Sequence, residues 1–175
     1  MPASYAIHAS SQLASQYQNK NIQLIDSPVS GGVKKAADGT LSIMAGGTKE
    51  AVDRAHFLLQ AMADTKTLYI VPGGVGAGSN MKMVHQVLAS IHVLGTSEAM
   101  GFAARLGLDA EQTATAIKRS DAWTWMFENR VQRMLTEQWR PEVSASAVNI
   151  ILKDLVCIFL GSLHIFGQCE LIIYT

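Results

Sequence analysis

The chain has 175 residues, 49% hydrophobic and 16% charged, which excludes long intrinsic disorder and is enough for one ordinary domain or parts of two. Fourteen basic side chains offset fourteen acidic ones, so the electrostatic footprint of a nucleic-acid or membrane-surface binder is absent, and small molecules and protein partners remain. Cys157 and Cys169 have neither disulfide-framework density nor zinc-site spacing, no leader pattern opens the chain, and the late apolar run Leu155 to Phe166 is too short to span a bilayer, so a soluble, cytoplasmic chain without a membrane partner is expected.

Pro2, followed by Ala3, Tyr5, Ala6, Ile7, Leu13 and Ala14, predicts an amphipathic helix ending between Gln18 and Asn21. Ile22 to Ile25 predicts a short buried strand that stops at Asp26-Ser27-Pro28, where proline removes a donor. Leu41 to Ala45 predicts a second strand, Thr48 with Glu50 to Leu59 a capped helix, and Thr67 to Val71 a third strand ending at Pro72-Gly73-Gly74. Beyond Gly78, Met81 to Leu106 predicts one long helix, apolar on most sides and therefore expected to be buried on most sides. Gly107 ends it, Asp109 caps the next helix, and Asp121 opens another through Trp125, Phe127, Val131 and Met134. Trp123, Trp125 and Phe127 are expected in the core and at domain contacts rather than around a cofactor. After Pro141 a last helix begins near Ser144 or Ser146. The pattern is α/β in the first half and all helix in the second, with the long helix as the joint.

Four features carry chemistry. Ser30-Gly31-Gly32 offers a hydroxyl and unobstructed backbone N–H groups that suit a carboxylate, although taken alone the feature reads first as an ordinary glycine loop between strands. Gly74-Val75-Gly76-Ala77-Gly78 is not a dinucleotide fingerprint: its third glycine is misplaced, and Glu98, at the distance of a ribose acid, lies inside the long helix. Its better use is a tight turn that brings the next helix close to a ligand. Lys82 shares a helix face with His85 and Gln86; it is either a partly buried proton carrier or a lysine that snorkels to solvent. Lys153-Asp154 interrupts an apolar run and reads either as a paired or ligand-facing couple or as one exposed helix face. His8, His92 and His164 lack matching ligands, so no metal is expected.

In order along the chain, Asp26-Ser27-Pro28-Val29-Ser30-Gly31-Gly32 with Gly39-Thr40-Leu41, then Gly76-Ala77-Gly78-Ser79-Asn80-Met81-Lys82, then Lys153-Asp154-Leu155, resemble the substrate signature, catalytic-lysine motif and late lysine-aspartate motif of the β-hydroxyacid dehydrogenase family. The resemblance runs from about Pro2 to Leu155. Most of the family has asparagine three residues after the lysine; His85-Gln86, with Ser97-Glu98-Ala99-Met100 and Trp125 to Arg130, looks most like the L-threonate dehydrogenase branch.

The resemblance implies residues 1–74 as the C-terminal part of a Rossmann-like, doubly wound NAD(P)-binding domain. Residues 75–155 would then be an incomplete helical substrate and dimerisation domain reached through an interdomain helix, and 156–175 a non-native tail. It also implies truncation at both ends, with the glycine-rich phosphate turn and ribose acid lying about one hundred residues before Met1. Lys82 would be the general acid/base, Ser30, Gly31, Gly32, His85 and Gln86 would hold a small hydroxy or sugar acid, and Lys153 and Asp154 would lie at an NAD or NADP cofactor, in a homo-oligomer. The competing expectation is a catalytically incompetent chain that serves only as an interaction or dimerisation module.

Overall fold

The computed structural model describes residues 12–17, 20 and 22–136. Residues 12–17 are helical, as expected of the opening helix. The rest of that helix, the break at Pro141, the last helix, Lys153, Asp154 and the tail lie outside the described residues.

The sheet is built on one strand. Leu41–Gly47 (β3) buries four consecutive residues, Ile43 to Gly46, because both of its faces and both of its edges are covered. On one edge Ile25–Asp26 (β1) and Val29–Ser30 (β2) run antiparallel to it, pairing Ile25 with Gly47, Asp26 with Gly46, Val29 with Ile43 and Ser30 with Ser42. These four pairs share one register, so β1 and β2 are a single strand interrupted at Ser27-Pro28. Pro28 cannot donate, yet its carbonyl still accepts from Met44 N at 3.0 Å and keeps the register across the gap. The expected strand over Ile22 to Ile25 is therefore shifted: only Ile25 joins the ladder, and the ladder runs on past the proline.

On the other edge Ala63–Ile70 (β4) runs parallel to β3 after the crossover helix Lys49–Met62 (α2). The sheet is thus mixed. Thr48 caps α2 by accepting from Ala51 N at 3.2 Å, and the helix buries Ala51, Val52 and Leu59. Ile43, Ala45, Leu59 and Ala63 form the core, with Ile25, Leu41 and Leu68 packed against it. β4 begins four residues before the expected Thr67, but its first residues are irregular: Asp64 Oδ1 accepts from Lys66 N at 2.9 Å, and regular pairing resumes at Leu68. A short helix, Gly32–Ala37 (α1), stands where only a loop was expected between strands.

The long helix is Ala77–Arg105 (α3), followed by Ala110–Lys118 (α4) and Trp125–Leu135 (α5). Asp109 caps α4 by accepting from Gln112 N at 2.7 Å. Asp121 does not open α5. A turn closed by Trp123 N on Ser120 O carries the chain past it, and Thr124 is the cap, accepting from Phe127 N at 3.0 Å. Ala114, Phe127 and Val131 form a second core with Met100, Ile117 and Leu135. Trp123 and Trp125 stay outside it, 47% and 62% exposed, and Trp123 Nε1 donates to Glu128 Oε2. Among the described residues one compact unit ends at His85 and the second begins at Gln86.

α3 is not buried on most sides: Val84, Leu88, Ile91, Leu94 and Phe102 are all more than half exposed. Periodicity shows where apolar residues lie on a helix, not which side the rest of the chain covers. By length and composition alone α3 could cross a membrane, so the shortness of the late apolar run does not by itself dismiss one.

The start of α3 is seated by glycines. A Cβ at Gly78 would lie 2.1 Å from Met44 O and 2.7 Å from Asp26 O, whereas one at Gly101, on the same helix, would meet nothing within 4 Å. Gly78→Ala should therefore destabilise the chain by at least about 2 kcal/mol, while Gly101→Ala should stabilise it by about 0.5–1 kcal/mol. Urea unfolding followed by circular dichroism checks both, and equal effects at the two positions would remove the seating argument.

Candidate active site

The site grows from Asp26, the last residue of β1. Its carboxylate accepts from Ser79 N at 2.7 Å and from Ser79 Oγ at 2.8 Å. Ser79 is the third residue of α3, where backbone N–H groups have no partner within the helix and a negative charge is favoured. The helix is thus capped from 53 residues away in sequence. Gly46 and Gly78 let the backbones approach: a Cβ at Gly46 would lie 2.6 Å from Gly74 O and 2.8 Å from Gly78 N.

Gly73 to Gly76 make the tight turn that was expected before the helix. The close approach, however, serves the protein itself. The space beside Gly78 is filled by Met44 O, Asp26 O and Pro28 Cδ, so this glycine serves the packing of the helix on the strand. No other glycine turn that opens a helix of dinucleotide-binding length stands among the described residues.

One turn past Ser79 the helix presents Lys82, half-buried, then exposed His85 and half-buried Gln86 at the i+3 and i+4 positions that share its side. Ser30 is half-buried at the end of β2, opposite Ser42. Gly31 and Gly32 have φ of 138° and 65° and form a strand-to-helix junction, not a loop between strands. Only glycine fits at 31: besides the φ, a Cβ there would lie 2.6 Å from Lys35 Cβ.

The first turn of α3 therefore packs on the strand that continues into Ser30-Gly31-Gly32, and two motifs 50 residues apart meet at Gly78 and Ser79. Asp26 and Ser79 as a pair were not foreseen, although both belong to quoted motifs. The available signal was a serine in the first turn of a helix whose preceding residues are all glycine, alanine or valine and offer no cap. A shallow groove of about 600 Å³ along α4, lined by Asp109, Glu111, Gln112, Thr115, Ala116 and Arg119, contains none of the motif residues.

Residues 2–74 match the family model described as the NAD binding domain of 6-phosphogluconate dehydrogenase, and residues 76–160 the one described as NAD-binding of NADP-dependent 3-hydroxyisobutyrate dehydrogenase. The chain belongs to the β-hydroxyacid dehydrogenase family. Its relatives in that family include the L-threonate dehydrogenase of Escherichia coli (strain K12), 35% identical over 82% of this chain and 46% of that one. The L-threonate dehydrogenase of Cupriavidus necator is 36% identical over 89% and 49%. The crystal structure of 3-hydroxyisobutyrate dehydrogenase from Salmonella typhimurium matches with a TM-score of 0.80 at 32% identity, covering 98% of this chain and 56% of that one. The chain thus spans about half the length of the family's curated relatives that it matches. A Rossmann-like NAD-binding domain followed by a helical region is the family's arrangement here.

Asp26→Ala and Ser79→Ala should each cost about 1–3 kcal/mol of stability, and the double variant should cost less than the two together by at least about 0.5 kcal/mol. Chemical denaturation of the four proteins measures the coupling. Strict additivity would mean that the clamp does not hold the helix.

Proposed function

We propose that this chain carries the substrate loop and the proton-handling lysine of an NAD(P)-dependent dehydrogenase that acts on the CH–OH group of a small hydroxy or sugar acid of the L-threonate kind. The observation that carries the reading is the Asp26 to Ser79 clamp, which joins the strand leading into Ser30-Gly31-Gly32 to the turn of α3 just before Lys82. It is supported by relatives named L-threonate dehydrogenase at 35–36% identity.

In this proposal the substrate carboxylate is held by the Ser30 hydroxyl and the backbone N–H groups of Gly31 and Gly32. Lys82 Nζ, as the neutral amine, takes the hydroxyl proton and returns it in the reduction direction. His85 and Gln86 orient the substrate's other oxygens. A nicotinamide cofactor would supply the hydride acceptor when bound, and Lys153 and Asp154 would help to hold it. Gly74 to Gly78 lack the spacing of the dinucleotide fingerprint, so the chain by itself is expected to bind NAD or NADP weakly and to show no measurable turnover, while still binding the acid.

Titration calorimetry of the chain with L-threonate should show saturable binding that Ser30→Ala weakens about 5- to 100-fold, equivalent to about 1–3 kcal/mol. Unchanged binding would return Ser30 to an ordinary turn. In a form of the enzyme that turns over L-threonate, Lys82→Ala should lower kcat by about 10²- to 10⁴-fold with cofactor affinity preserved. Wild-type turnover in that variant would dismiss the proton-transfer role. The second reading, an interaction module without catalysis, draws on the exposed apolar residues of α3; it gains if the chain shows no saturable binding of L-threonate.

A further inference from the structure

Strand alternation sorts the side chains of the sheet onto two faces. Leu41, Ile43 and Ala45 of β3 pack in the core with Leu59 of α2, so Ser42, Met44 and Gly46 point to the other face. A Cβ at Gly46 would run into Gly74 O, Gly78 N and Ala77 Cβ, which marks that face as the one carrying the first turn of α3. Ser30 pairs directly with Ser42 across the antiparallel ladder, further along the strand from Asp26, whose carboxylate reaches Ser79 on the same face. Side chains directly opposed in such a ladder share a face, with Cβ atoms about 5 Å apart. Ser30 and Ser42 are both half-buried, and among the described residues neither hydroxyl has a hydrogen-bond partner. β4 adds no residue to that row, because its register steps from Leu41 with Ala63 to Ile43 with Leu68.

We infer that Ser42 is a second side-chain anchor for the substrate carboxylate, its hydroxyl donating to one oxygen while that of Ser30 donates to the other. The inference rests on the reading of Ser30-Gly31-Gly32 as the carboxylate turn, and it extends the site from that turn onto β3. A carboxylate offers about four acceptor positions, so one hydroxyl and two backbone N–H groups leave room for a further donor. Two hydroxyls on Cβ atoms about 5 Å apart can meet the two oxygens of one carboxylate at ordinary O–H···O lengths of about 2.7 Å. Ser42 stands within the paired strand rather than in the turn, so it holds the anion at a fixed place on the face that seats α3 and leads to Lys82. The other use of such a pair, a cross-strand contact that supports the sheet, would show in stability and not in ligand affinity.

Ser42→Thr and Ser42→Val are the decisive variants: both residues are β-branched and suited to a strand, and only threonine keeps the hydroxyl. Titration calorimetry of the chain with L-threonate should place Ser42→Thr within about twofold of the unmodified chain and Ser42→Val about 3- to 30-fold weaker. The double variant Ser30→Ala with Ser42→Ala should bind more weakly than either single variant. Equal affinities in Ser42→Thr and Ser42→Val, with Ser30→Ala still weakening binding, would overturn the Ser42 anchor and leave the carboxylate turn standing. A double variant no weaker than Ser30→Ala alone would reduce Ser42 to a support for Ser30 and overturn direct contact. Absence of saturable binding by the unmodified chain would sink the carboxylate turn, and the Ser42 anchor with it.

Discussion

The arrangement of the site depends on how the first turn of α3 is held against the sheet. Two side-chain-free positions, Gly46 and Gly78, bring the backbones together, and the Asp26 carboxylate gives the contact its direction by taking both donors of Ser79. Hydrogen bonds to a charged group at a part-buried helix end contribute about 1.5–3 kcal/mol. An exposed ion pair such as Lys49 with Asp53 on α2 contributes a fraction of that, because water screens both partners. The long-range cap, not the surface pairing, therefore decides where the lysine helix begins.

The substrate loop is fixed by the same element from the other side. Because β1 and β2 share one register on β3, the residues after Pro28 are placed by strand pairing rather than by a wandering loop. Ser30 leaves the ladder opposite Ser42, and the crowding of Lys35 against Gly31 sets the path into α1. One strand, interrupted at a proline, thereby delivers a clamp residue at its start and a candidate anion-binding turn at its end.

What was legible in the sequence was local. Thr48 and Asp109 could be read as caps because the donors they satisfy lie three residues away, and the β3 to α2 to β4 order followed from apolar runs bounded by turn residues. Asp121 and Thr124 are equally good caps on paper, and the choice fell to a turn at Ser120 that no periodicity reports. The six-residue α1 is shorter than the window in which helical periodicity can be counted. The outward-facing apolar side of α3 and the exposed Trp125 were missed for a common reason: pattern identifies a sticky face without saying what will cover it. The three motifs carried the family, while the pairing of Asp26 with Ser79 required the folded chain.

A helix turns by about 100° per residue, so anchoring α3 at position 79 also fixes the compass bearing of every side chain after it. Lys82 faces as it does because three residues separate it from the clamp, and a one-residue insertion there would swing the amine about a quarter turn around the helix even if every residue type were kept. The stretch from Ser79 to Gln86 thus behaves as a ruler with its zero mark on another strand. Chains built on this plan can tolerate drift in the composition of the stretch more readily than any change in its length.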